Sequence, residues 1–192
     1  MWGKVIMYDI EQLQSAWKGH RSFAEWLIEK KQPKVIVELG VDYGYSLFCF
    51  ANLNIGTVYG IDTFQGDMHT GKHDDAEKLV NEIIEKNNYT NIKIIKDTFD
   101  SVYDSWNTPI DVLHIDGLHT YHDTLNDYNK WSKFLSSDGI ILMHDVVSFE
   151  GVRVVYNLSK LYKTYFEHSS GLGVLSPNKD LIEEIKKKYD LK

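Results

Sequence analysis

The chain has 192 residues, 43% of them hydrophobic and 26% charged, enough for one sizeable core and too little for a second large one. Its formal net charge of -7 gives no electrostatic pull on phosphate backbones, so nucleic acid is excluded as the expected partner. The single cysteine, Cys49 in the apolar stretch Leu47–Phe50, rules out an internal disulfide and a thiolate metal cluster, and no apolar run is long enough for a membrane span or a signal peptide, so the expectation is a soluble, cytoplasmic protein with a buried, inert thiol.

Residues 1–19 read as a short packing segment around Trp17, and residues 20–31 as a helix with Phe23, Trp26 and Leu27 on one face, ended by Pro33. Together 1–33 form an N-terminal helical extension. Alternation then begins, with a strand at 34–39, a helix at 45–52 and a second strand at 57–62. An amphipathic helix follows at 74–87, then strands at 91–96 and 110–116. A helix at 121–135, a strand at 139–147 and a helix at 151–162 come next. Two closing strands, 164–168 and 173–175, complete a core of 34–176. A C-terminal helix from Lys179 occupies 177–192 and ends in Lys186–Lys188, cations suited to a last turn. No repeat interrupts what reads as one α/β domain. Such alternation predicts a largely parallel sheet with helices on both faces, and a ligand site at the carboxyl ends of the strands.

The first strand runs into Glu38-Leu-Gly40-Val-Asp42-Tyr-Gly44-Tyr-Ser46. Glycines permit a sharp turn and close approach of a ligand to the backbone, and the start of the next helix offers free N–H groups. A dinucleotide fingerprint requires a middle glycine, and Asp42 stands in its place, which argues against a nicotinamide cofactor. The bulkier turn suits a ligand without a pyrophosphate, such as S-adenosylmethionine. The second strand ends in Asp62, followed by Thr63, and an acid there can accept from both hydroxyls of a ribose.

Three further stretches carry a family resemblance: Asp62-Thr-Phe-Gln-Gly66-Asp67-Met-His69-Thr-Gly71, then Leu113-His-Ile-Asp116-Gly117-Leu-His119-Thr-Tyr121, then Gly139-Ile-Ile-Leu-Met-His144-Asp145. With the glycine turn they resemble the class I methyltransferase family often called methyltransferase domain 24, which includes macrolide sugar O-methyltransferases and polysaccharide-associated methyltransferases. The resemblance spans 34–176. It implies a Rossmann-like, three-layer αβα sandwich whose mostly parallel seven-stranded sheet has the order 3-2-1-4-5-7-6. It also implies S-adenosylmethionine-dependent O-methylation of a sugar or polysaccharide hydroxyl. By position, Glu38, Gly40, Gly44 and Ser46 would hold the methionine end of the cofactor, Asp62 and Thr63 the ribose, and Asp97 and Thr98 the adenine, with Asp116 bordering the same site. Asp116, His144 and Asp145 would hold Mg²⁺ or another divalent ion. His144 stands where the macrolide enzymes have a carboxylate, and imidazole is the poorer Mg²⁺ ligand. His119 matches the family's general base, with an ordinary pKa of about 6.5 suited to neutral pH. Asp67 and His69, in a long polar loop, match acceptor contacts.

Other residues carry smaller expectations. His114 reads as a satisfied core histidine, His122 as exposed, and Ser169–Gly173 as a structural loop. Tyr43, Tyr121 and Trp131 are candidates to line an acceptor pocket. Rival readings remain at this stage. A catechol-type O-methyltransferase would use similar strand ends. Tyr156-x-x-x-Lys160 fits a short-chain dehydrogenase, and the His144 departure leaves room for a non-catalytic cofactor-binding scaffold. The expected partner is a small-molecule or saccharide substrate, and a homo-oligomer stays open.

Overall fold

Short β-branched runs between glycine and proline breaks are too brief for a stable helix, and when apolar on both faces they belong in the interior of a parallel sheet. The computed structural model, which describes residues 7–66, 71 and 75–192, places them there. Two 3-10 turns, Ile10–Gln12 and Ala16–His20, precede α1 (Arg21–Lys31), β1 (Val35–Leu39), α2 (Tyr45–Ala51), β2 (Thr57–Asp62) and α3 (Ala76–Lys86). Then follow β3 (Ile92–Lys96), α4 (Phe99–Ser105), β4 (Ile110–Ile115), α5 (Tyr121–Trp131), β5 (Leu135–His144) and α6 (Glu150–Leu158). The chain closes with β6 (Tyr162–Phe166), β7 (Leu172–Ser176) and α7 (Lys179–Tyr189).

The seven strands form one sheet in the order β3-β2-β1-β4-β5-β7-β6. β7 runs antiparallel to both neighbours, and the other pairs are parallel. Strand order reverses between β1 and β4, where Leu39 pairs with Ile115, so the two carboxyl ends open side by side on a crevice. Side-chain alternation splits the core in two. Ile36, Val58, Val112, Ile140 and Leu142 pack toward α1, α2, α3 and α7. Val37, Ile61, Leu113, Ile141 and Met143 pack toward α4, α5 and α6. Cys49 is fully buried, and among the described residues no helix is long and apolar enough to cross a membrane.

Several boundaries differ from the sequence pattern. α4 has no counterpart there, because only Val102 of its seven residues is buried and its amphipathic signal is correspondingly thin. β5 begins at Leu135, not Gly139: Leu135 pairs with Ile110 across a register break. The polar Ser136–Asp138 run is held by Asp111 and Lys31 instead of by burial. The same strand stops at His144, because Asp145 adopts the left-handed φ of 66°. The helix expected to reach residue 135 ends at Trp131 and passes through a 3-10 turn, Ser132–Phe134. α6 ends at Leu158 rather than residue 162, where Ser159 turns extended and its hydroxyl accepts from the Leu161 N–H. β6 accordingly starts early, at Tyr162.

Candidate active site

The glycine turn is shaped by its neighbours. Gly40 has φ +92°, and a Cβ there would lie 2.1 Å from the Asp116 carbonyl oxygen, so the close approach of β1 and β4 requires glycine. Gly44, at φ +82°, stands against the Phe48 ring. Asp62 ties this turn to the end of β2. Its Oδ2 accepts from the N–H groups of Val41 at 2.7 Å and Asp42 at 3.0 Å, and its Oδ1 from Phe64 N–H at 2.7 Å. Phe64 itself sits at φ 54°, a conformation bulky residues rarely hold.

Above these groups lies a cavity of about 300 Å³, bounded by the glycine turn, Asp62–Phe64, Thr98–Phe99 and Asp116–His119. Gln14 and Ser15 of the N-terminal segment also line it. Thr63 and Thr98 are in its wall. Asp97 is not among the lining residues. Its carboxylate accepts from Thr98 N–H and the Ser101 hydroxyl, at 2.7 and 2.9 Å, and fixes the start of α4. Asp67 and His69 lie outside the described residues.

Behind the turn runs a buried polar chain. Glu38 is fully buried and its Oε1 accepts from the Ser46 hydroxyl at 2.5 Å. The same oxygen lies 2.8 Å from His114 Nδ1. The Trp17 indole N–H donates to His114 Nε2 at 3.1 Å. Burial pushes the Glu38 carboxyl up, against the pull of His114 and Ser46. Its Oε2 is buried with no hydrogen-bond partner among the described residues. His114 is therefore a satisfied core histidine, as its sequence setting predicts, but its partners are the indole and the acid.

At the far ends of β4 and β5, Asp116, His119, His144 and Asp145 converge. His144 Nε2 donates to the Ser169 carbonyl oxygen at 3.0 Å. Its Nδ1 thereby turns toward two carboxylates, 3.0 Å from Asp145 Oδ2 and 3.4 Å from Asp116 Oδ1. His119 Nε2 lies 2.9 Å from Asp145 Oδ2 and 3.7 Å from Asp116 Oδ1. The His119 ring stacks on Phe149 at 4.3 Å between centroids. Burial disfavours charge on His119, but Asp116 and Asp145 outweigh it and push the ring up to about 9. The same contest, with Asp116 the stronger partner, carries His144 up to about 10. Burial opposes ionisation of Asp116 and Asp145, and the two imidazoles hold both carboxyls below the usual range. Asp116, His144 and Asp145 offer three ligand atoms within 4.8 Å of one another.

Other expectations sort by location. Tyr43 lines the cavity and donates to Asp75 Oδ1 at 2.9 Å. Tyr121 borders an open groove with Glu150 and Val154, and His119 belongs to both that groove and the cavity. Trp131 is fully buried in the core and cannot face an acceptor. Tyr156 is core as well, and Lys163 rather than Lys160 lies over its ring, so no dehydrogenase pair forms. The loop read as merely structural supplies Ser169, whose carbonyl anchors His144. Sequence reading missed Trp17, Phe64, Phe99, Phe149 and Ser169. Phe99 alone left a local signal, as the aromatic that opens α4 after the Thr98 cap.

This sheet order, with a glycine turn after β1 and an acid ending β2, defines a Rossmann-like methyltransferase fold. The chain belongs to the methyltransferase domain family, whose sequence profile matches residues 37–146. It is 33% identical over 182 residues to the uncharacterized protein y4gI of Sinorhizobium fredii, an alignment covering 88% of this chain and 20% of that protein. The chain thus spans about a fifth of the length of that curated relative. Among solved structures it resembles the O-methyltransferase from Bacillus cereus in complex with SAH, with TM-score 0.66, 15% identity, and 82% and 81% of the two chains covered. It also resembles TomG of Streptomyces achromogenes, an O-methyltransferase in complex with SAM, with TM-score 0.65, 14% identity, and 89% and 91% covered. A third is CalS11, a TDP-rhamnose 3'-O-methyltransferase of calicheamicin biosynthesis, with TM-score 0.65, 16% identity, and 85% and 81% covered.

Proposed function

We propose that this domain transfers a methyl group from S-adenosylmethionine to a hydroxyl of a sugar or related saccharide, with His119 taking the proton and Asp116, His144 and Asp145 holding a divalent cation. One continuity carries the reading: the cavity that starts at Asp62 ends at Asp116 and His119, where the carboxylate–imidazole cluster stands.

The residues suit the cofactor. Asp62 is fixed by three backbone N–H groups, and Oδ1, which among the described residues accepts from Phe64 alone, keeps a lone pair for a ribose hydroxyl. Glu38 stands behind the cavity wall, not in it; its buried Oε2 has no donor among the described residues, and the ammonium of the methionine moiety would supply one. Phe64 and Phe99 offer apolar surface for the adenine. The bound cofactor supplies a methyl on a positively charged sulfur, already a good leaving group, so the protein's main work is to place the acceptor.

The cation set fits as well. Anchoring of His144 Nε2 to Ser169 presents Nδ1 to the two carboxylates, the arrangement in which an outer hydrogen bond orients a ligating imidazole. One nitrogen and two oxygens suit Mn²⁺ or Zn²⁺ better than Mg²⁺, which prefers oxygen alone. The ion would supply positive charge that makes an acceptor hydroxyl easier to ionise. His119 is oriented by Asp145 and by its stack on Phe149, and without a cation the two carboxylates hold its ring protonated at neutral pH. A cation on Asp116 and Asp145 would draw off that charge and leave the ring neutral, able to take the hydroxyl proton. The groove beyond His119 is open, with the Tyr121 ring and the Glu150 carboxylate along it. Those surfaces suit the C–H face and the hydroxyls of a sugar, and the TDP-rhamnose acceptor of CalS11 supports the same class.

The test is release of S-adenosylhomocysteine from S-adenosylmethionine across a panel of nucleotide sugars, saccharides and catechols. His119→Ala is expected to lower turnover by about 10²–10⁴-fold while leaving cofactor affinity unchanged, and Asp116→Asn to lower turnover likewise. Undiminished turnover in both variants would remove these residues from the mechanism, and turnover on catechols alone would replace the acceptor class.

A further inference from the structure

We infer that Trp17 and His114 are positioning residues for the cofactor: the indole N–H fixes the His114 tautomer, and that tautomer keeps Glu38 a hydrogen-bond acceptor behind the glycine turn. The inference rests on the methyltransferase reading of the cavity and adds a relay from outside the family-matched stretch, since Trp17 precedes residue 37.

An indole N–H can only donate. His114 Nε2, 3.1 Å from it, must therefore be the acceptor. Nδ1 then carries the ring proton and donates to Glu38 Oε1 at 2.8 Å. Ser46 donates to the same oxygen, so both partners point their hydrogens at Glu38 Oε1, and the His114 Nδ1–H cannot accept one from it. Trp17 and Phe50 meet the imidazole edge-on, each at 5.4 Å between centroids, and block rotation of the ring. Trp17, Glu38, Ser46 and His114 are all buried, so water cannot stand in for a lost partner. With the opposite tautomer, Nδ1 would face Glu38 Oε1 as a lone pair, and only a protonated, neutral Glu38 could answer it. A neutral Glu38 would no longer balance the ammonium of the cofactor's amino-acid end.

Trp17→Phe keeps an aromatic ring and removes the donor. Two measurements on the full chain test the relay: calorimetric affinity for S-adenosylhomocysteine, and the long-range ¹⁵N–¹H spectrum of His114, which distinguishes the tautomers. Wild-type His114 is expected to carry its proton on Nδ1. Trp17→Phe is expected to weaken binding at least fivefold, and to cause no further loss when added to Glu38→Gln, which a general packing defect would not spare. Wild-type His114 protonated on Nε2, unchanged affinity in Trp17→Phe, or an equal loss in the Glu38→Gln background would each overturn the relay. The wild-type spectrum decides even if Trp17→Phe fails to fold. Wild-type protein that binds no S-adenosylhomocysteine would instead overturn the reading of the cavity.

Discussion

A methyl group at position 40 would collide with the Asp116 carbonyl oxygen at 2.1 Å while sitting at φ +92°. Left-handed strain and overpacking each cost about 1–3 kcal/mol. Gly40→Ala is therefore expected to lower stability by roughly 2–5 kcal/mol, read as a fall in the urea midpoint. A midpoint within error of wild type would mean that β1 and β4 do not approach as described. The placement of Gly40, Glu38, Gly44, Asp62 and Asp116 around the strand ends was legible in the sequence, because each sits at a fixed offset from such an end. Asp97 has the same kind of offset, but its carboxylate accepts from Thr98 N–H and the Ser101 hydroxyl beside the start of α4 and is not part of the cavity wall. Trp17 was legible as a packing residue and Ser169 as part of a structural loop, but their partners were not. Trp17 meets His114 across 97 positions and Ser169 meets His144 across 25, and nothing local encodes either pairing.

At the scale of elements, the strands were readable from apolar runs, whereas weakly amphipathic pieces were not. α4 and the 3-10 turn Ala16–His20 each bury only one or two residues. That turn nevertheless serves both halves of the site: Trp17 reaches His114, and His20 Nε2 donates to the Ser169 carbonyl at 3.3 Å, beside His144. α5 carries a different strain. Burial, reinforced by Asp100 of α4 and Asp123 of its own first turn, pushes Asp127 up to about 7 against the pull of Asn126 and Lys130. A carboxyl held above its unfolded value favours the fold at low pH, and that contribution is lost as pH rises from about 4 to 7. Asp127→Asn should thus match wild type below pH 4 and exceed it above pH 8, by about 1–4 kcal/mol given about 1.4 kcal/mol per pKa unit. Thermal melts at the two pH values check this, and a variant no more stable at pH 8 would contradict it.

For the whole molecule, alternation of strands and helices indicated the layers, and the resemblance supplied the strand order that the sheet displays. Periodicity could not give that order, because it records which residues are buried and not which strands are neighbours. The cavity above the glycine turn, the Asp116–His144–Asp145 cluster and the groove past His119 all lie at the carboxyl ends of β1, β2, β4 and β5, as the reversal between β1 and β4 requires. The central claim is that this crevice grips an adenosyl sulfonium compound. Calorimetric titration with S-adenosylhomocysteine, in wild type and Asp62→Asn, tests it most directly. Saturable binding to wild type with a Kd on the order of 1 µM to 1 mM, weakened at least tenfold by Asp62→Asn, is the expected result. No heat at millimolar ligand, or equal affinity in the variant, would contradict it.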